Sequence, residues 1–149
     1  MTLKEKIYTH CVQLINNKIN EMQTSLNELN EGLTNDSKSS AGDKYETSRA
    51  MQQIEQEKLM RQLHEAKEQK DILEKIDITA NSKEILKGSL VKTNSLLLFI
   101  GAAIGKITID GTAVMVLSPQ SPLGIKLMGL KAKDSTTING VNYFIESVE

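Results

Sequence analysis

Residues 42 to 46 read Gly-Asp-Lys-Tyr-Glu. Asp43 and Glu46 stand three apart, and Arg49 follows three further on. In a helix, positions three apart are one turn apart on one face, so the two carboxylates can point to a shared ion. A second reading stands beside this one. Asp43 is well placed as an N-cap with Glu46 at the third helical position, a capping-box arrangement worth roughly 1 kcal/mol. The two roles are compatible, because a capping carboxylate keeps free lone pairs. Arg49 can pair with Glu46 along the helix, or it can meet a phosphate or a protein partner. Lys38 and Lys44 are either solvated surface or a means of steering the segment.

Other reactive side chains form no constellation. His10 and Cys11 are adjacent, and adjacent helical residues point in different directions, so they make no nucleophile–base pair. Cys11 reads as a small apolar residue near a helical seam. As the only cysteine it excludes an intrachain disulfide and leaves a cysteine-based zinc site short of ligands. The stretch Gly101-Ala-Ala-Ile-Gly105 lacks the lysine and glycine spacing of a nucleotide loop.

The segment around Asp43 lies between two helical patterns. Tyr8, Val12, Ile15, Ile19, Met22, Leu26, Leu29 and Leu33 alternate spacings of 4 and 3, a heptad seam. Gly32 and the polar run after Leu33 are expected to end this helix. A second helix is expected from about Asp43 to Ile76, with Met51, Ile54, Leu59, Leu63, Ala66, Leu73 and Ile76 as its apolar positions. The short connection favours an antiparallel hairpin. About thirty residues at 1.5 Å each give an arm of roughly 45 Å. The seam could also pair between chains; a monomer is favoured.

Beyond residue 79 the period changes. Short apolar runs bounded by turn residues read as strands: Ser-Leu-Val-Lys-Thr from 89, Ser-Leu-Leu-Leu-Phe-Ile-Gly from 95, Lys-Ile-Thr-Ile from 106 and Ala-Val-Met-Val-Leu-Ser from 113. Asp110-Gly111 and Asn139-Gly140 suit tight hairpins. Ser121-Pro122 reads as an N-cap and first helical residue, and Gly129 as the stop. The expected class is α+β, with a hairpin over 1–79 whose acidic tip lies near 36–49, and a small antiparallel β domain with one short helix over 80–149.

Composition narrows the function. With 18 Lys and Arg against 19 Asp and Glu, the chain lacks the basic surplus of a general nucleic-acid binder. Without Trp, and with two Phe and three Tyr, a base-stacking platform is not expected. The N-terminal residues lack signal-peptide features, and the longest apolar run, from Leu96, is too short to span a bilayer as a helix. A soluble, cytoplasmic protein with no membrane partner is expected.

Two motifs together resemble the Gre family of bacterial transcript-cleavage factors. Gly42, Asp43 and Glu46 match that family's tip pattern of Gly-Asp, two residues, then Glu. Ser121, Pro122, Leu123, Gly124, Gly129, Lys131 and Asp134 match its Ser-Pro-Leu-Gly helix and the residues that follow. The resemblance implies a coiled-coil hairpin followed by an FKBP-like domain. It implies that the hairpin enters the secondary channel of RNA polymerase. There Asp43 and Glu46 would help hold a second Mg²⁺ of the polymerase and position a water, so that backtracked RNA is cut. Gly42, Lys44, Tyr45 and Arg49 would be tip or polymerase contacts, and Ser121 to Gly124 a docking motif on the channel rim. Nascent RNA would be met only indirectly. No cofactor of its own and no independent enzymatic activity are implied. The family usually has Asn after the tip Glu, where this chain has Thr47. A prolyl isomerase needs an aromatic-lined pocket, for which the C-terminal half offers only Phe99, Tyr143 and Phe144. Two other readings remain: a non-catalytic coiled-coil adaptor, and a channel-binding inhibitor without cleavage.

Overall fold

A computed structural model of the chain describes the backbone of residues 1–36 and 42–149 and the side chains of 1–32 and 47–149. Helix α1 spans Leu3–Asp36 and α2 spans Gly42–Glu74. Six strands and one short helix follow: β1 Leu90–Thr93, β2 Leu97–Ile100, β3 Gly105–Ile109, β4 Thr112–Leu117, α3 Pro122–Leu127, β5 Ser135–Ile138 and β6 Val141–Val148. The class is α+β, as the change of period implies. Contacts divide the chain into two compact units. One joins Met1–Val12 to Gln69–Glu149; the other is Gln13–Glu68.

In the first unit, Thr2 and Glu5 start α1 with a capping box. Glu5 N donates to Thr2 Oγ1 at 3.2 Å and Thr2 N donates to Glu5 Oε2 at 3.1 Å. The strands form one sheet in the order β3-β4-β2-β1-β6-β5. Both expected hairpins form. Asp110 and Gly111 have φ of 50° and 80°, and Asn139 and Gly140 have 51° and 79°, the left-handed pair that a two-residue turn matched to strand twist requires.

The sheet is mixed, not wholly antiparallel as expected: β2 and β4 run parallel. Burial explains this. Strand β4 carries buried Val114, Val116 and Leu117, whereas β3 exposes Lys106 and Thr108. The apolar strand takes the inner position and the polar one the edge, which favours solvent there over another chain. Strand β4 then lies beside β2 in the same direction.

Ile85, Val91, Leu98, Ile100, Leu117, Leu127 and Ile145 form the core of the sheet. Ile7, Cys11, Leu73 and Ile76 are also buried in this chain. Ile76 lies directly over Gly88, whose φ of 91° and missing Cβ leave the space. Three side chains of the first α1 turns hold other parts of the unit. Lys4 Nζ donates to Ala80 O at 3.1 Å, Lys6 Nζ meets Asp110 Oδ2 at 2.7 Å, and Tyr8 OH donates to Leu73 O at 3.0 Å.

In the second unit, Ile15, Leu26, Leu63 and Ala66 are buried, with Ile19, Met22, Leu29 and Leu59 half-buried. Gln56 Nε2 donates to Asn30 Oδ1 at 2.6 Å. Tyr8 meets Leu73 and Asn30 meets Gln56, so rising numbers on α1 meet falling numbers on α2, and the helices are antiparallel. Three details differ from expectation. Helix α1 continues through Gly32 to Asp36. Its fully buried positions near the start are Ile7 and Cys11, while Tyr8 and Val12 are half-buried. On α2 Met51 and Ile54 are 66% and 67% exposed, and Gln52 and Gln56 are half-buried instead. The Gln56–Asn30 amide bond stands there in place of apolar packing, so hydrophobicity is a poor guide to the register.

Candidate functional site

Helix α2 opens at Gly42, one residue before the expected cap, so Asp43 and Glu46 both lie within its first turns. The side chains of Gly42, Asp43, Lys44, Tyr45 and Glu46, and Lys38 as a whole, lie outside the described residues. Their positions along the backbone are nonetheless defined. Gln56, which bonds Asn30, lies 10 residues beyond Glu46 and 13 beyond Asp43. At 1.5 Å per residue these are roughly 15 and 20 Å along the helix. Thr47 is exposed. Arg49 is half-buried and already engaged in an interaction, so it is not a free cation awaiting a ligand.

The donor set at this end is sparse. Mg²⁺ favours six oxygen ligands and keeps several waters when a protein gives it only one or two carboxylates. Two carboxylates would therefore leave most of such an ion's coordination to water or to another molecule. Among the described residues, no group of three or more His, Cys, Asp or Glu side chains gathers into a metal site.

The second motif is fully described. Ser121, at φ −66° and ψ 159°, caps α3, and its Oγ accepts from Gly124 N at 3.0 Å. The same hydroxyl donates to Ser118 O at 2.7 Å. Pro122, with no N–H to satisfy, occupies the first turn. Leu123 packs against the core, and Gly124 is buried against the Ser118 carbonyl, where any Cβ would collide with backbone. Gly129, at φ 84°, ends the element, and its N–H donates to Ile85 O at 3.0 Å. Asp134 Oδ2 accepts from Lys131 N at 2.8 Å. Ser121, Leu123 and Gly124 are thus turned to local structure, and Pro122 alone of the four is exposed.

The remaining candidates resolve simply. Cys11 is fully buried, and burial pushes its thiol up to about 12, so it is no nucleophile. His64 is exposed and lies 3.0 Å from Glu68 along α2. Phe99 is fully buried in the β unit, and so cannot line an open aromatic pocket.

Lys4 gave no signal in the sequence, where a lysine near a chain start reads as solvated. It is 7% exposed. Desolvation lowers its pKa, while the carboxylates of Glu149 and Asp77 act in the opposite direction. Its long stem places it beneath Ala80, a contact made only when the segment after α2 folds over α1.

No helix among the described residues is long and apolar enough to cross a membrane. No protein-family model matches the chain, and no curated protein does. Among solved structures, the transcription factor Gfh1 aligns over 93% of this chain and 92% of its own, at 16% identity and a TM-score of 0.37.

Proposed function

We propose that this chain is a Gre-like transcription elongation factor. It acts on bacterial RNA polymerase by inserting the turn end of its helical arm into the secondary channel. The observation that carries the reading is the placement of the Gly42-Asp43-Lys44-Tyr45-Glu46 motif. It opens the second of two long helices, and Asp43 and Glu46 stand three positions apart along that helix.

The chain's own part in the reaction is limited and specific. Asp43 and Glu46 lie three apart on one helix, a spacing from which both carboxylates can reach one ion. Asp43 and Glu46 supply oxygens to a cation that the polymerase already holds and accept hydrogen bonds from a water beside it. A second metal stabilises the attacking and leaving oxygens of phosphodiester cleavage. The protein has no activity of its own in this scheme. The β unit anchors the arm on the partner's surface.

The test is cleavage of RNA in a stalled, backtracked complex of the cognate polymerase, with and without the chain. Added protein should shorten the transcript, and Asp43→Ala with Glu46→Ala should abolish that effect while leaving the thermal unfolding of the protein unchanged. Cleavage retained by the double variant refutes the assignment of the pair. No binding to the polymerase refutes the reading as a whole.

Thr47 favours a second reading, because it stands where the Gre family usually has Asn beside the tip Glu. In that reading the arm occupies the channel and slows initiation or elongation without cleavage. Inhibited synthesis with no shortening of backtracked RNA selects it.

A further inference from the structure

Three stretches of the β unit line one cavity of about 770 Å³. Lys4 and Glu5 come from the first turn of α1, Ile78, Asn81 and Lys83 from the segment after α2, and Val148 and Glu149 from β6 and the residue after it. Lys4 is 7% exposed, yet among the described residues its Nζ makes a single hydrogen bond, to Ala80 O at 3.1 Å. An ammonium has three donors, so two remain for whatever fills the cavity. Among the described residues, no carboxylate lies within ion-pair distance of Lys4 Nζ. Glu149 and Asp77 attract it only from further away. Asp77 Oδ1 is already taken by Thr79 N and Oγ1, and Glu5 Oε2 by Thr2 N. A buried charge is costly unless it is paired and hydrogen-bonded, so this site gains most from an anion.

We propose that the cavity binds a small organic monocarboxylate, with its carboxylate on Lys4 Nζ and its hydrocarbon body against Ile78 and Val148. Ile78 and Val148 are half-buried, and each keeps apolar surface for a ligand to cover. Lys83 is exposed and has no ion pair among the described residues, so it adds a second positive charge at the same wall. A cavity that is largely apolar with a few polar groups is the usual form of a small-molecule site.

The lining also limits the charge of the ligand. Glu5 and Glu149 stand in the same wall, and each further negative charge on a ligand meets them unfavourably. Inorganic phosphate carries more charge and has no apolar body, so it fits less well. A nucleotide has the same excess of charge, and no aromatic ring lines the cavity on which its base could stack. An organic cation would set its charge against the buried ammonium.

The inference stands apart from the polymerase reading. Octanoate is titrated into the full chain by calorimetry at constant ionic strength, with inorganic phosphate and octylammonium as comparison ligands. Octanoate should bind with a Kd on the order of 0.1 mM and raise the melting temperature of the protein. Phosphate should bind at least 10-fold more weakly, and octylammonium should not bind. Lys4→Met should weaken octanoate about 10- to 100-fold, the loss of one charge-assisted hydrogen bond. Ile78→Ser should weaken it about 5-fold. Amide NMR spectra of the wild type place the ligand without any substitution. Octanoate should shift Thr79, Asn81, Ser82 and Glu149, and leave Ser95, Leu96 and Thr112 in place.

Those last three residues line a neighbouring cavity beside Lys92. Shifts confined to them, or binding lost in Lys92→Met but kept in Lys4→Met, overturn the assignment. Octanoate that neither binds nor shifts any amide overturns it too. Phosphate that binds as tightly as octanoate overturns the choice of ligand.

Discussion

Cys11 shows how one buried group sets a measurable pH dependence. Its thiol is pushed up to about 12 by burial in the folded chain, above the ordinary thiol range. Between roughly pH 9 and the folded value, the unfolded chain releases a proton that the folded chain retains, so stability falls as pH rises through that window. Below it both states are protonated and the group contributes no pH dependence. Native protein should therefore resist thiol alkylation at neutral pH and react only after denaturation. Rapid labelling of the native chain contradicts this placement. Gly124 makes a different demand on a single site. Any side chain there meets the Ser118 carbonyl while Ser121 Oγ holds the Gly124 N–H. Gly124→Ala should cost about 2 kcal/mol or more, read as a lower melting temperature. Ser121→Ala, which removes only the cap, should cost about 1 kcal/mol. Both residues carry the family resemblance, yet each has a local physical reason to be present.

At the scale of the element, α1 carries a residue that its own backbone does not need. Gly32 lies inside the helix, and a Cβ there would meet nothing within 4 Å. Its cost is the entropy of fixing a glycine in a helix, so Gly32→Ala should stabilise the chain by about 1 kcal/mol. A higher melting temperature checks this; a lower one means that the position needs glycine for contacts made beyond the helix. Helix α2 shows a second compromise. Gln52 and Gln56 occupy half-buried positions where Met51 and Ile54 do not. The Gln56–Asn30 pair fixes register through a directional hydrogen bond, whereas apolar side chains tolerate sliding.

The whole molecule is organised by where its contacts close. The sequence changes from helical to strand period near residue 79, but the unit that contains the sheet also takes in Met1–Val12 and Gln69–Ile78. Ile76 seats on Gly88, Lys4 bonds Ala80, and Lys6 pairs with Asp110. A fragment of residues 80–149 lacks Ile7, Cys11, Leu73 and Ile76. Such a fragment buries too little apolar surface for its length to fold cooperatively. It should show no sharp thermal transition by circular dichroism where the full chain does. A cooperative transition in the fragment shows instead that the sheet core is sufficient.

By itself the sequence determined the local structure of this protein. Heptad spacing set the first long helix and a looser apolar pattern the second, Asp110-Gly111 and Asn139-Gly140 set two hairpins, and Ser121-Pro122 set a capped helix, because each depends on residues a few positions apart. The spacing of Asp43 and Glu46 is local in the same way, and their side chains lie outside the described residues. What only the tertiary structure decided depends on residues far apart in the chain. It set β4 parallel to β2, buried Lys4 under Ala80, and exposed Met51 and Ile54. Such choices follow from which surfaces compete for the same core, and that competition has no local signature.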